Sequence, residues 1–198
     1  MKRSSVLAAL VLMVTSSQSS PAFAHLNPAE HGSFAAGFTH PLTGADHILA
    51  MVAVGLWAAM LGGRALYVVP LSFVGVMVLG FVAALSGLPL PYVEPVILAS
   101  VIVIGVLVAL AFHASTRNAA LIVGFFAFFH GYAHGGEIGS ASFFSYATGF
   151  ALATALLHAG GIAAGVALGS LAKGKSAQLA VRIAGSLAAL SGVYLAIG

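Results

Sequence analysis

Apolar residues run along this chain in six long blocks, at about 42–61, 65–86, 94–112, 118–137, 144–171 and 177–197. Each comes close to the roughly 20 residues that a helix needs to cross a bilayer core about 30 Å thick. The breaks between them are short: Gly62-Gly63-Arg64, then Ser86 to Pro91, His113 to Asn118, Gly135 to Ser142, and Lys173-Gly174-Lys175. Nothing between the blocks is long enough for a soluble domain. The pattern predicts an all-α integral membrane protein, a six-transmembrane-helix bundle forming one domain over 25–198.

The first 24 residues read differently. Met1-Lys2-Arg3 is a basic start, Val6 to Val14 is apolar but too short to span, and Ala22-Phe23-Ala24 is a small-residue cleavage pattern. This is the form of a secretory signal peptide. The rival, an uncleaved anchor helix, needs a longer apolar run. Cleavage after Ala24 would leave His25 as the first mature residue, outside the cytoplasm.

Composition agrees with the pattern. Of 198 residues 61% are hydrophobic and 6% charged, where a soluble domain carries roughly 25% charged residues. The net charge of +3 comes from scattered Lys and Arg that form no patch, so no nucleic-acid partner is expected. With no cysteine, disulfides, thiolate metal sites and attached c-type haem are excluded. The charges also orient the bundle. With the mature N-terminus outside, Arg64, Arg117, Lys173, Lys175 and Arg182 all fall on or near the cytoplasmic side, while 87–93 and 138–143 contain no Lys or Arg. That satisfies the positive-inside rule.

Polar groups interrupt the apolar blocks at two places. The first is His40-Pro41-Leu42-Thr43-Gly44-Ala45-Asp46-His47, at the mouth of the first block. An Asp at membrane depth costs about 2.5–3.5 kcal/mol unless it has a partner or an ion. Pro41 and Gly44 permit an irregular backbone at that point. The second is His130-Gly131-Tyr132-Ala133-His134-Gly135-Gly136-Glu137. On a helix His130, His134 and Glu137 share one face. His134 and Glu137 stand about 6 and 10 Å nearer the outer surface than His130, level with His40, Asp46 and His47. Imidazole with carboxylate suits Ni, Co, Zn or Fe, so a metal-binding entrance is expected where the two clusters meet.

Other residues are weighed against plainer roles. Glu94, at the outer start of the third block, is either part of a ligand funnel or a carboxylate at a helix N-terminus. His158, near mid-membrane in the fifth block, is either a hydrogen-bonded support or the next station for an ion moving inward. His25 and His31 are candidates for outer capture. His113 reads as a solvated loop residue, Met51 as core filling, and Phe125, Phe126, Phe128 and Phe129 as packing or lipid contacts. Gly161, Gly165 and Gly169 read as a small-residue helix face.

Two motif matches fail on context. Gly169 to Ser176 fits GxxxxGK[ST], which needs a strand before it and a nucleotide fold around it; no ATP is expected. The spacing of His130 and His134 lacks the adjacent Glu of HExxH, so protease chemistry has no base in place.

Taken together, HPLTGADH running into ILAMVAVGLWA, then Glu94, then FFHGYAHGGE, behind a signal peptide and mature His25, resemble the HupE/UreJ family of small nickel and cobalt permeases linked to hydrogenase and urease maturation. The resemblance covers the whole chain. It implies six helices and uptake of Ni(II), with Co(II) as a second cargo, across the inner membrane, with no organic cofactor. The family's motif residues fall on His40, Asp46, His47, His130, His134 and Glu137. Two rival readings are a zinc-dependent intramembrane hydrolase and a haem-binding electron carrier using His130 or His134 with His158. Oligomeric state is not legible.

Overall fold

The computed structural model describes residues 33–87, 89–136, 138, 142–171 and 175–197. Among these, all regular structure is helical: α1 (Ser33–Thr43), α2 (Ala45–Leu61), α3 (Ala65–Leu85), α4 (Val93–Ala109), α5 (Thr116–Gly135), α6 (Phe143–Leu171) and α7 (Lys175–Ile197). Helices are what uninterrupted apolar sequence must form in hydrocarbon, because they satisfy every backbone N–H and C=O internally. The turn from α2 to α3 is tight because Gly62 and Gly63 both take positive φ, 69° and 51°, which glycine adopts without strain.

The first expected block, 42–61, is corrected. Its residues from Ala45 on are α2, and its first two end a separate helix, α1, which begins at Ser33 and is bent from α2 by 82° at Gly44. Gly44 is extended (φ −86°, ψ 122°), and Pro41 cannot donate back to the preceding turn. The N-terminal arm of the pair, 33–40, contains Ser33, Thr39 and His40 and so carries no long apolar run to announce it.

By length and composition α3, α6 and α7 can each cross a membrane, and α1 with α2 makes a fourth if the bent pair is one span. The 17 residues of α4 are apolar but short. The 20 residues of α5 are long enough, but Arg117, Asn118, His130 and His134 dilute its apolar character. The expected signal peptide, residues 1–24, lies outside the described residues.

α2 is the centre of the bundle, packed against α6 most extensively and also against α4, α3, α7 and α1. The broadest contact is between α3 and α5, and α4 pairs with α7. Each close pair meets at glycines on both helices. A Cβ on Gly80 would overlap the Phe128 carbonyl, and one on Gly131 the Met77 carbonyl. Gly55 and Gly161 make the same reciprocal approach between α2 and α6, as do Gly105 and Gly185 between α4 and α7. In lipid, apolar surface gives helices no net reason to associate, so backbone approach and dispersion carry the packing. Of the expected stripe on α6, Gly161 and Gly165 face α2, whereas Gly169 faces open space.

Around α2 the core is aromatic and sulfur-rich, with Trp57, Phe73, Phe81, Phe150, Met51 and Met77 buried. The end of α4 is tied from two sides. Trp57 Nε1 of α2 donates to the Phe112 carbonyl at 3.0 Å, and Arg182 Nε of α7 donates to the Ala109 carbonyl at 2.7 Å. Ala109 is one of the last carbonyls that a helix C-terminus leaves without an intrahelical partner, and Phe112 lies in the segment that follows.

Candidate functional site

The bend at Gly44 has a chemical consequence. It turns His40, in the last turn of α1, back toward His47 in the first turn of α2, with ring centroids 6.0 Å apart and edge-on. A side chain on Gly44 would collide with Asp46 Oδ1 and His47 Nδ1, which lie 2.8 and 3.0 Å from where its Cβ would be. The glycine is therefore required for close approach of the two polar side chains.

Helix α5 supplies the other half. His130 and His134 project from one face, and both are buried. The His134 ring lies 4.3 Å from that of His40 and 4.7 Å from that of His47, and the His130 ring lies 5.1 Å from that of His47. Four imidazoles from three helices thus form one continuous group, backed by the Phe150 ring of α6 at 4.7 Å from His134.

Hydrogen bonds fix how the rings are presented. Asp46 Oδ1 accepts from His47 Nδ1–H at 3.0 Å, which leaves the His47 Nε2 lone pair aimed at the cluster. That atom is 2.6 Å from His134 Nε2, so it accepts from His134 Nε2–H. His130 is held from α4. Ser100 Oγ donates to the Ile97 carbonyl at 2.5 Å; its one proton is used there, so it accepts from His130 Nε2–H at 3.0 Å. The His130 Nδ1 lone pair is then the bare one, and it has no partner among the described residues.

His158 of α6 is another buried imidazole. Both of its ring nitrogens are buried with no hydrogen-bond partner among the described residues. The Phe73 ring of α3 neighbours both, 5.6 Å from His130 and 5.0 Å from His158. A buried polar group without a partner costs roughly 1–3 kcal/mol. Three such nitrogens, one on His130 and two on His158, need a reason beyond packing.

The remaining candidates sort as follows. Glu94 is exposed in the first turn of α4, about 9 Å along the helix from Ser100. His113 is exposed, with Nδ1 2.8 Å from the Ala111 carbonyl, and Met51 fills core. The described ends of the GxxxxGKS match, Gly169 to Leu171 and Lys175-Ser176, belong to α6 and α7, so no strand leads into it. His25, His31 and Glu137 lie outside the described residues. Among the described residues no group of three or more His, Asp or Glu is arranged as a ready-made cage for one metal ion; the rings meet edge to face, and His47 and His134 bond to one another. Ser100 and Phe73 were not expected from sequence. Each sits in an apolar run, where a lone Ser or Phe carries no signal of its own.

Fold and site together define a multi-pass α-helical membrane protein built round a buried histidine centre. The family model described as HupE / UreJ protein matches residues 11–195. Protein HupE of Rhizobium leguminosarum bv. viciae is 43% identical over 199 aligned positions, covering 100% of this chain and 98% of the relative. The chain belongs to the HupE/UreJ family. No solved structure matches it.

Proposed function

We propose that this protein is a secondary permease that carries a divalent transition metal, Ni(II) first and Co(II) second, from periplasm to cytoplasm for maturation of hydrogenase or urease. In this reading six helices cross the inner membrane: the bent pair α1–α2, then α3 to α7. The mature N-terminus faces the periplasm, as the distribution of Lys and Arg supports. The observation that carries the reading is the convergence of His40, His47, His130 and His134 with Asp46 behind His47. A carboxylate–imidazole pair of this kind orients a metal-ligating ring and raises its basicity.

An ion captured near His25, His31 and Glu94 would break the His47–His134 hydrogen bond and take the His47 Nε2 lone pair directly; His134 Nε2 becomes a ligand once its proton leaves for water or moves to Nδ1, with Glu137 completing the set. The bare Nδ1 of His130 is the next donor inward, and His158 the one after. Protons compete for the same lone pairs, so transport falls as the outside is acidified. The membrane potential favours inward movement of a dication by about 2.3 kcal/mol per charge per 100 mV, and no ATP is needed.

Vesicles containing the purified protein should accumulate Ni(II) over empty vesicles without ATP, with Co(II) behind it and Zn(II) last. Accumulation no greater than in empty vesicles for all three ions contradicts the proposal.

A further inference from the structure

Helices α3 and α5 run parallel. Their contacts climb together, from Ser72 Oγ on the Ala120 carbonyl, to Gly131 on Met77 and Gly135 on Phe81. Two parallel helices begin at the same end, so Arg64, at the start of α3, and Arg117, in the first turn of α5, stand at one mouth. Both are exposed, and no carboxylate among the described residues pairs with either. From this mouth a groove of about 610 Å³ runs along the seam of the two helices, floored by Gly124 and walled by Val76, Leu121 and Phe125. Leu121 and Phe125 are 63% and 57% exposed. The groove is thus open along its side, cationic at one end and apolar below, a place where the family's permease chemistry has no work to do.

We propose that this groove is a binding site for an anionic phospholipid, with the lipid phosphate held by Arg64 and Arg117 and one acyl chain laid against Gly124 and Phe125. Arginine's planar fork matches phosphate oxygens two at a time, and basic pockets between membrane helices hold anionic headgroups in this way. The apolar walls select a lipid over a free phosphate, which would use the mouth alone. Gly124 keeps the floor low: the nearest atoms to a Cβ there are Ser72 Oγ and Val76 Cγ2, each at an ordinary contact distance of 3.5 Å, so a longer side chain has room to enter the space the acyl chain would occupy.

The full-length protein, stripped of lipid in detergent, tests this by native mass spectrometry with phosphatidylglycerol, phosphatidylcholine or inorganic phosphate added. The expected result is a retained phosphatidylglycerol adduct favoured over phosphatidylcholine by about tenfold, the worth of one charge-assisted hydrogen bond. Arg64→Gln with Arg117→Gln should erase that preference. Gly124→Leu, which leaves both charges in place, should reduce the adduct as strongly. Equal retention of the two lipids, or an unchanged preference in the double Arg variant, overturns the proposal. So does a phosphatidylglycerol adduct that millimolar inorganic phosphate displaces fully and that Gly124→Leu leaves intact, because that is an anion site without a lipid groove.

Discussion

Asp46 Oδ1 holds His47 Nδ1–H at 3.0 Å, and the two residues are sequence neighbours in the first turn of α2, directly after the 82° bend. Adjacent helical residues normally diverge by about 100°. Here the extended backbone at Gly44 leaves room for both side chains to fold over it, and the carboxylate sets the imidazole so that its Nε2 faces His134. Asp46 thus acts on the centre through His47.

Asp46→Asn keeps the size of the side chain and an acceptor oxygen but removes the charge. Ni(II) affinity of the purified protein, measured by calorimetry, should fall about 10–100-fold, the usual effect of losing such a supporting carboxylate. Unchanged affinity would mean that Asp46 serves only to start α2.

Ser100→Ala removes the acceptor that holds the His130 Nε2 proton. The ring is then free to exchange tautomers, and nitrogen NMR of labelled histidine should show His130 shift from the Nε2–H form to a mixture. Ni(II) uptake should drop by about tenfold, with the protein folded and its mass in the membrane unchanged. A His130 signal that stays in one tautomer contradicts the hydrogen-bond direction assigned here.

Much of this was legible in sequence, and the parts that were not have particular causes. The apolar blocks marked the helices from α2 to α7 because length and hydropathy act locally. The shared face of His130 and His134 follows from a spacing of four. The bend at Gly44 was only hinted at by Pro41 and Gly44, since neither residue states an angle, and α1 was missed because its polar residues break the apolar run. Ser100 could not have been found, because its role is a contact with a residue 30 positions away. Gly169 was grouped with Gly161 and Gly165 by spacing, but α2 ends at Leu61 and leaves that glycine nothing to meet.

That difference among the glycines is testable. Gly161→Ala places a methyl on the Val52 carbonyl and should cost about 1–3 kcal/mol, the range for overpacking. Gly169→Ala meets nothing within 4 Å and should leave the thermal midpoint in detergent unchanged or slightly raised. Equal effects of the two substitutions would place α2 and α6 differently from the packing described.

Orientation makes a separate prediction. Reporter fusions after Arg64, Arg117 and Lys175 should report cytoplasm, and fusions after Leu90 and Ser140 periplasm, as the charge distribution requires. One well-expressed reversal among these five breaks the six-crossing order.

The most direct test of the proposed permease centre is initial-rate Ni(II) uptake into vesicles containing His134→Ala, Glu137→Gln or His113→Ala protein at matched density. His134 stands within ring contact of both His40 and His47, whereas His113 is exposed in the turn after α4. His134→Ala and Glu137→Gln should each lower uptake by about 100-fold, and His113→Ala should stay within about twofold of the unaltered protein, as surface changes away from a site usually do. Uptake by His134→Ala at the unaltered rate would contradict a route through the histidine centre.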